Sequence, residues 1–358
     1  MHRIWFSASM LLASALLGLA LLCNRPAQAA PDAPVKITFF IWAGSNQGVV
    51  PREVFKAYRE AHPEVTIEEL ESTNAITYPK MVAARRTTPD NPLVSCGFFN
   101  VDAITRGDAD EMWESMNPER IPNIANVLPQ YRRPDNRGVG YQMSGIGILY
   151  NKNAVNTPPT SWTALWDPAN RGRVVMFDYN TQMLSIAARL NGGSEHDIDP
   201  GFKIWSDNAQ NLRALFDSND ALKNALASGD AWMAPWFSSI SHVWIAEGAP
   251  FAYAVPKEGA IGFPLFLSIA RGIDANQRRV CEDLVNTLLA PANAGRYALL
   301  TANIPTAKNA AMSSEQLADP TLNMELAQNA IVLDYPYIGQ MTAEWRKRWD
   351  REVKFKLR

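Results

Sequence analysis

The chain has 358 residues, of which 47% are hydrophobic and 20% are charged, and its formal net charge is −2. This balance lacks the basic excess that binding to nucleic acid or to an anionic membrane surface requires, so neither partner is expected. The length is sufficient for two lobes, each with its own core.

The first 29 residues are predicted to be a cleaved targeting segment. Arg3 gives a positive start, residues 10–22 are an apolar run too short to span a bilayer comfortably, and residues 27–29 are a small-x-small cleavage signal. An uncleaved anchor is the alternative. Cleavage would remove Arg3 and Arg25 and no acid from the 34 basic and 36 acidic residues, so the net charge would become about −4.

Strands and helices are predicted to alternate in the first third of the chain. Apolar runs predict strands at 35–42, 65–70 and 93–99. Helices are predicted from Pro51, at 79–86 and at 108–117, with a proline-rich connection at 118–135. Such alternation implies a parallel sheet that helices cover on both faces.

A second α/β unit is predicted to begin near the middle of the chain. Strands at 138–151 and 173–177 flank a short helix from Thr160 or Ser161, in which Trp162 and Trp166 would share one face. Later strands are predicted at 232–237, 251–255 and 263–269. Later helices are predicted at 181–190, 200–215, 221–228, 238–248, 278–290, 293–301 and 342–357.

The last of these helices is amphipathic and basic. We predict that it packs on a lobe through Trp345, Trp349 and Val353, and not that it binds a membrane. Two cysteines, Cys96 and Cys281, remain after cleavage. An oxidising compartment permits a disulfide between them, but their spacing does not decide whether it forms.

Motifs of catalysis and of metal binding are mostly missing from the sequence. It contains no nucleophile elbow, no His-Glu-x-x-His, no phosphate-binding loop and no Cys-x-x-Cys, so no cofactor is expected. Ser206-Asp207-Asn208 is interpreted as a polar helix end. Residues 195–199 hold Glu, His and Asp side chains, but their Gly/Ser and Pro neighbours favour a solvated loop with a helix cap over a metal site.

Five loops at the predicted carboxyl ends of strands combine aromatic with small polar residues. Ligands bind at these ends in open α/β sheets, and helix N-termini beside them favour anionic ligand groups. Ordinary core or lining roles are the alternative for each residue. The candidate ligand-binding residues are Trp42, Ser45, Asn46, Phe99, Asn100, Asp178, Tyr179, Asn180, Thr181, Gln182, Trp236, Phe237, Ser238, Ser239 and Phe263.

Four segments resemble the solute-binding proteins of ABC importers, in the bilobed type II class that includes spermidine/putrescine-binding and ferric-iron-binding proteins. They are GIGILYNKNAV (145–155), PTSWTALWDPANRGRVVMFD (159–178), VPKEGAIGFPLFLSIARG (255–272) and CEDLVNTLLAPANAGRYA (281–298), followed by Ile304-Pro305-Thr306. The Pro-Lys-Glu-Gly turn favours the polyamine branch.

The resemblance implies a non-enzymatic periplasmic monomer with two α/β lobes, each a mostly parallel sheet, joined by crossover strands. Residues 31–140 with 265–310 would form one lobe, residues 141–264 the other, and residues 311–358 the helices that brace them. Closure about a hinge would capture a small molecule in the cleft, and the closed form would deliver it to membrane permease subunits.

The ligand is where the chain departs from the polyamine branch. A desolvated polycation needs several carboxylates and aromatic faces. The acids of the branch would fall near Tyr179, Gln182 and Leu265, which leaves Asp178 as the nearby carboxylate. The predicted ligand is therefore a small polar organic solute, amine-containing or polyamine-like, with one amine and an anionic or neutral polar end. This end would contact Asn180, Thr181, Ser238 and Ser239. Trp42 and Phe263 would stack on the solute, and Asp178 would bind the amine.

Other functions stay open at this point. A ferric-iron binder would need adjacent tyrosines about where Ser238 and Ser241 stand, and an anion or organophosphonate binder of the same class is a further alternative. A secreted enzyme on a two-lobed fold is the alternative from another class, but the sequence offers it only Asp178 and a helix-borne His242. A sensor that passes ligand to a receptor would use the same closed lobes.

Overall fold

The computed structural model describes residues 33–44, 46–178 and 180–357. The strands are β1 (Val35–Trp42), β2 (Val65–Ser72), β3 (Cys96–Asn100), β4 (Trp113–Glu114), β5 (Val139–Asn151), β6 (Val174–Phe177), β7 (Leu212–Phe216), β8 (Met233–Phe237), β9 (Phe251–Ala254), β10 (Ile261–Ala270) and β11 (Ile304–Pro305). The helices are α1 (Val49–Ala61), α2 (Asn74–Thr87), α3 (Val101–Ala109), α4 (Thr181–Leu190), α5 (Asp199–Asp207), α6 (Asn219–Ala227), α7 (Ser238–Ala246), α8 (Ala275–Leu288), α9 (Pro291–Thr301), α10 (Ser314–Ala318), α11 (Met324–Asn329) and α12 (Tyr335–Glu352).

These strands form one mixed sheet in the order β2-β1-β3-β10-β5-β8-β6-β7. The first three strands are parallel to one another, and so are β8, β6 and β7. Between the two groups, β10 and β5 run antiparallel to their neighbours. Apolar runs such as Val174–Phe177 are typical of strands that are covered on both faces. The predicted α/β class is confirmed.

Strands β5 and β10 connect the two parallel groups. All 13 residues of β5 are buried, and at about 3.3 Å per residue the strand spans roughly 43 Å. Its first half pairs with β10, and its second half pairs with β8 and β9. The chain therefore leaves the first group through β5 and returns to it through β10.

A disulfide joins the sheet to a helix that covers it. Cys96 of β3 and Cys281 of α8 are bonded, with their Cα atoms 6.0 Å apart, and both residues are fully buried. The bond closes a loop across a sequence separation of 185 residues. It settles the pairing that the sequence left open.

The prediction of a helix at 108–117 is wrong. The structure instead has α3 at Val101–Ala109, after which Glu111 takes a left-handed conformation (φ 52°) and the chain turns back. Trp113 then donates from Nε1 to the carbonyl of Ile104 at 2.9 Å. The helix ends early because the fully buried indole of Trp113 packs on the helix and stabilises the turn.

Two other helix predictions are wrong in extent. The segment 200–215 divides into α5 and β7, because Asn211 donates to the carbonyls of Leu165 (3.2 Å) and Asp167 (2.7 Å) and so ties this point of the chain to another loop. The helix expected after Ser161 is a single 3₁₀ turn, Trp162–Leu165.

The C-terminal helix begins seven residues before its predicted start at 342. Asp334 caps it by accepting from the backbone N–H of Tyr337 at 3.1 Å. Its predicted packing residues Trp345, Trp349 and Val353 are all buried, which confirms that the helix packs on the body of the protein. No helix in the described residues is long and apolar enough to cross a membrane.

Candidate functional site

A cavity of about 680 Å³ lies where the N-termini of α2, α3 and α4 come together. These helices contribute Asn74, Asn100, Asp102, Thr181 and Gln182 to its lining. The C-terminal helix α12 forms the opposite wall. The remaining lining residues are Ala75, Thr105, Arg106, Tyr335, Ile338, Gly339, Gln340, Thr342 and Ala343. Because α12 closes the cavity, residues far apart in the sequence form a single site.

Capping side chains determine where the three helices begin. Thr73 accepts from the N–H of residue 76 at 3.3 Å, Asn100 from that of residue 103 at 2.9 Å, and Asn180 from that of residue 183 at 3.1 Å. Such caps satisfy some of the free N–H groups of a first turn. The helix dipoles give this side of the cavity a positive potential.

Asn74 connects the ends of two neighbouring strands beside the cavity. Its Oδ1 accepts from Trp42 Nε1 at 2.8 Å and from the backbone N–H of Asn100 at 3.0 Å. The residue is 7% exposed, and its Nδ2 has no hydrogen-bond partner among the described residues. A buried donor without a partner is unfavourable. The Asn74 amide therefore has a hydrogen-bond donor next to the cavity that no described residue accepts from.

Asp102 is the acidic group of the cavity. Asp102 is exposed to the cavity, while desolvation by the protein nearby raises the pKa of its carboxyl group and the Arg106 guanidinium opposes the rise. The carboxylate has no hydrogen bond or ion pair with any described residue. Its charge is therefore offset mainly by the first turn of α3 and by Arg106.

Aromatic side chains lead from the sheet to the cavity. The hydroxyl of Tyr335, which is 4% exposed, donates to the carbonyl of Gly262 at 2.8 Å. Burial raises the pKa of Tyr335, and the Asp102 carboxylate adds to the rise. Phe263 contacts the Tyr335 ring edge-to-face at 6.2 Å and the Phe237 ring at 5.1 Å. Of these rings, Tyr335 lines the cavity, and Phe263 and Phe237 pack behind it.

The wall formed by α12 depends on one glycine. A Cβ atom at Gly339 would lie 2.7 Å from Cγ2 of Thr105 on α3, which is too short for an ordinary contact. Gly339 therefore allows α12 and α3 to approach closely at the edge of the cavity.

The structure brings together several of the predicted site residues. Asn100, Thr181 and Gln182 line the cavity, Asn180 caps α4, and Trp42 reaches the cavity wall through Asn74. Phe263 contacts Tyr335 and Phe237 but, like Phe237, is not among the residues that line the cavity. The contribution of each of these residues to ligand binding stays a prediction.

Other predicted residues lie elsewhere. Phe99 is fully buried against Phe40 and Trp113, and Trp236 is buried against Phe177 and Trp244. Asn46 donates to the carbonyl of Leu300 at 3.2 Å. The hydroxyls of Ser238 and Ser239 form hydrogen bonds with the hydroxyl of Ser144, and the Ser238 hydroxyl also accepts from the N–H of Gly145 at 3.1 Å. Ser45 and Tyr179 lie outside the described residues.

Asp178, the predicted partner of a ligand amine, already has cationic partners within the chain. Its Oδ2 accepts from Arg346 Nη2 at 3.1 Å and from Lys354 Nζ. Its Oδ1 is buried and has no hydrogen-bond partner among the described residues. The carboxylate is thus paired with the C-terminal segment.

The groups considered for an enzyme or a metal site have structural partners. His242 lies 2.7 Å from the Thr321 hydroxyl, and burial lowers its pKa, while Asp319 opposes this change. Glu195 is buried and pairs with Arg189 instead of lying in a solvated loop. Within the described residues, no group of three or more His, Cys, Asp or Glu side chains is placed to hold a metal ion.

Sequence reasoning missed most of the residues that line the cavity, among them Asn74, Asp102 and Tyr335. Asn100 followed by Asp102 is a typical helix start, with an N-cap residue and an acid in the first turn. This signal locates Asp102 at the end of β3. Asp334 and Pro336 are a comparable signal for the start of α12 at Tyr335, but only the folding of the C-terminal segment brings Tyr335 to the cavity.

Comparison with known proteins gives the family. Residues 93–324 match the profile of a family described as "Bacterial extracellular solute-binding protein". The chain is 25% identical over 298 residues to the "Spermidine/putrescine-binding periplasmic protein" of Escherichia coli (strain K12), covering 79% of this chain and 82% of that protein.

Two solved structures show the same fold. An ABC transporter protein from Clostridium perfringens ATCC 13124 has a TM-score of 0.76 at 17% identity, covering 88% of this chain and 99% of that one. The periplasmic binding protein AfuA from Actinobacillus pleuropneumoniae, with fructose-6-phosphate bound, has a TM-score of 0.67 at 18% identity, covering 90% and 99%. The periplasmic relatives imply export. The family match spans more than half of the chain, which therefore belongs to the bacterial extracellular solute-binding proteins, the non-enzymatic components of ABC transporters that bind a small molecule and deliver it to a permease.

Proposed function

We propose that the cavity binds a small organic solute with a single ammonium group and that Asp102 is its counter-ion. The observation that carries this proposal is a carboxylate that lines the cavity, is open to it and has no hydrogen bond or ion pair with a described residue. A partly desolvated charge is stabilised by an opposite charge close to it. A ligand ammonium in the cavity would supply the missing partner.

The other lining groups suit a polar or anionic second end of the solute. Asn100, Thr181, Gln182 and Arg106 offer hydrogen-bond donors, and the ring of Tyr335 offers an apolar surface. Small-molecule sites commonly have volumes of about 300–1,000 Å³, mixed linings and a few polar groups that orient the ligand. A cavity of about 680 Å³ is in this range.

One carboxylate favours one amine over a polyamine. Each ammonium of a long polycation loses water on binding and needs its own anionic partner. Asp102 is the only Asp or Glu among the described residues that line the cavity. The named function of the spermidine/putrescine-binding relatives therefore does not transfer directly to this chain.

We further propose that the protein acts in the periplasm as a monomer and closes about a hinge. Residues 31–140 with 265–310 would be one lobe and 141–264 the other, braced by 311–358. The two parallel strand groups and the strands β5 and β10 between them support this division. Closure would bring α3 and α4 together around the ligand and present the closed form to the permease.

An anionic solute is the second candidate. Three helix N-termini and Arg106 face the cavity, and the similar protein AfuA is described with fructose-6-phosphate bound. An anion would, however, lie close to the Asp102 carboxylate, and like charges repel unless that group is protonated.

Thermal-shift measurements with four probes distinguish these ligand classes. Ethanolamine and 4-aminobutyrate carry one amine, spermidine carries several, and fructose 6-phosphate is an anion. We expect a single-amine probe to raise the unfolding temperature of the wild type and not that of Asp102→Asn. The substitution should lower the affinity for that probe at least about 30-fold. This corresponds to ~2 kcal/mol, the cost of removing one side of a buried charge pair.

Glu111→Gln is the matched control, because Glu111 follows α3 but is exposed and does not line the cavity. This variant should keep the wild-type response. A larger shift with spermidine or with fructose 6-phosphate than with either single-amine probe would refute the proposal.

A further inference from the structure

A second carboxylate lies near the cavity, but the chain itself occupies it. Asp178 follows the last residue of β6, and its side chain is 19% exposed. Arg346 of α12 and Lys354, just after α12, both donate to Oδ2. The other oxygen, Oδ1, is buried. An external cation could therefore pair with this carboxylate only in competition with Arg346 and Lys354.

This cluster adjoins the cavity on both of its chain segments. Thr181 and Gln182 line the cavity and lie three and four residues after Asp178. Thr342 and Ala343 also line it, and Arg346 is four and three residues beyond them. Residues with this spacing share a helix face about one turn apart. The Arg346 side chain therefore lies one turn of α12 beyond the cavity wall.

We propose that Arg346 and Lys354 occupy a second ammonium subsite at Asp178 and so select single-amine solutes over diamines. This inference rests on the proposed function, in which Asp102 binds the first ammonium. A diamine that reached from Asp102 toward Asp178 would have to displace cations of the chain. These cations are held at high effective concentration because they belong to the same molecule.

The bonds around the two cations show how the subsite is kept filled. Arg346 also lies 3.7 Å from Asp350 one turn along the helix, which holds its guanidinium in place. Lys354 is held in the 3₁₀ turn Lys354–Leu357, where Lys356 donates to the carbonyl and hydroxyl of Ser206. Removal of both long side chains would leave Asp178 unpaired and would open space beside it.

Calorimetric titration with putrescine tests the inference. We expect the double variant Arg346→Ala/Lys354→Ala to bind putrescine at least ten times more tightly than the wild type. Addition of Asp178→Asn should abolish the gain, because the subsite then lacks its carboxylate. The matched control is Lys347→Ala/Arg351→Ala, which removes the same charge from two exposed positions of α12 that do not contact Asp178 and should show no gain.

A folded double variant that binds putrescine no better than the wild type overturns the inference, and so does an equal gain in the control. If the double variant unfolds, putrescine should restore its folded circular dichroism at a concentration where sodium chloride of equal ionic strength does not. Failure of this rescue also overturns it. The proposed function is judged separately, by the single-amine probes and Asp102→Asn.

Discussion

Asp102 lines the cavity as an exposed residue, and desolvation by the protein nearby raises the pKa of its carboxyl group. A cationic ligand needs the charged form. Affinity for a single-amine probe should therefore be highest above this raised pKa and should fall as the pH drops through it. Calorimetry with ethanolamine over a pH series measures the effect, and Asp102→Asn should show weak binding with little pH dependence. An affinity for ethanolamine that rises as the pH falls would contradict the role of Asp102 as the counter-ion.

The same shift predicts the stability of this variant without ligand. A raised pKa means that the charged carboxyl group destabilises the folded state above that pKa, and that the cost is relieved as the pH falls through it. Asp102→Asn removes the charge, so at neutral pH it should unfold at the same temperature as the wild type or higher. A clear loss of stability would mean that Asp102 has a structural role.

Single residues of the site were predictable only where the signal was local. Asn100, Thr181 and Gln182 follow apolar strands directly and were predicted from that position. Tyr335 lies in the C-terminal segment, and only the folded chain places it beside Asp102. The partners of Asp178 likewise come from residues more than 160 positions away.

At the scale of elements, the disulfide between β3 and α8 should be a large contribution to stability. The chain-entropy treatment gives about 5 kcal/mol for a loop of this length, and losses of native disulfides are typically about 2–5 kcal/mol. Cys96→Ala/Cys281→Ala should therefore melt clearly below the wild type in calorimetry. A reductant should lower the melting temperature of the wild type and leave the variant unchanged. Equal melting temperatures would contradict the account.

The contact between α12 and α3 gives a second prediction at this scale. Gly339→Ala adds a methyl group 2.7 Å from Cγ2 of Thr105, and such overpacking costs about 1–3 kcal/mol. Alanine also favours a helix over glycine by about 1 kcal/mol. We expect a net loss of up to about 2 kcal/mol in the free energy of unfolding, measured by urea denaturation.

Thr105→Ser supplies the control, because serine lacks Cγ2 but keeps the hydroxyl that donates to the carbonyl of Val101 at 2.8 Å. In this background Gly339→Ala should become stabilising by about 1 kcal/mol. The same change in free energy in both backgrounds would show that the close approach is not what requires glycine.

The buried strands were the most predictable elements, since β1, β5 and β8 are apolar runs between turn signals. The ends of helices were less predictable. The start of α3 follows an apolar strand without a break, and its end depends on the distant indole of Trp113. Residues 212–216 have an apolar pattern too short to distinguish a strand from a helix, and pairing with β6 decides the outcome.

For the whole molecule, the family resemblance predicted the α/β class and the role in ABC transport correctly. The two-lobed division and hinge closure remain predictions. The ligand was harder to infer because the cavity is closed by α12, whose contacts with α3 are long-range. Local sequence therefore showed which loops meet at the sheet edge but not which carboxylate is free among the described residues.

Export makes a prediction about the mature chain. If the segment 1–29, which lies outside the described residues, is a cleaved signal, the exported protein should begin at Ala30. N-terminal sequencing of protein recovered from the periplasm of a bacterial host checks this. A chain that still begins at Met1 would support the uncleaved anchor.

The central claim is that Asp102 holds a solute with one amine. Its most direct test is to incubate the wild type and Asp102→Asn with the same bacterial metabolite extract and to identify the retained solutes by mass spectrometry. We predict that the wild type retains a small solute with a single amine and that Asp102→Asn does not. Retention of a phosphorylated anion or a polyamine, or the same solutes on both proteins, would contradict the claim.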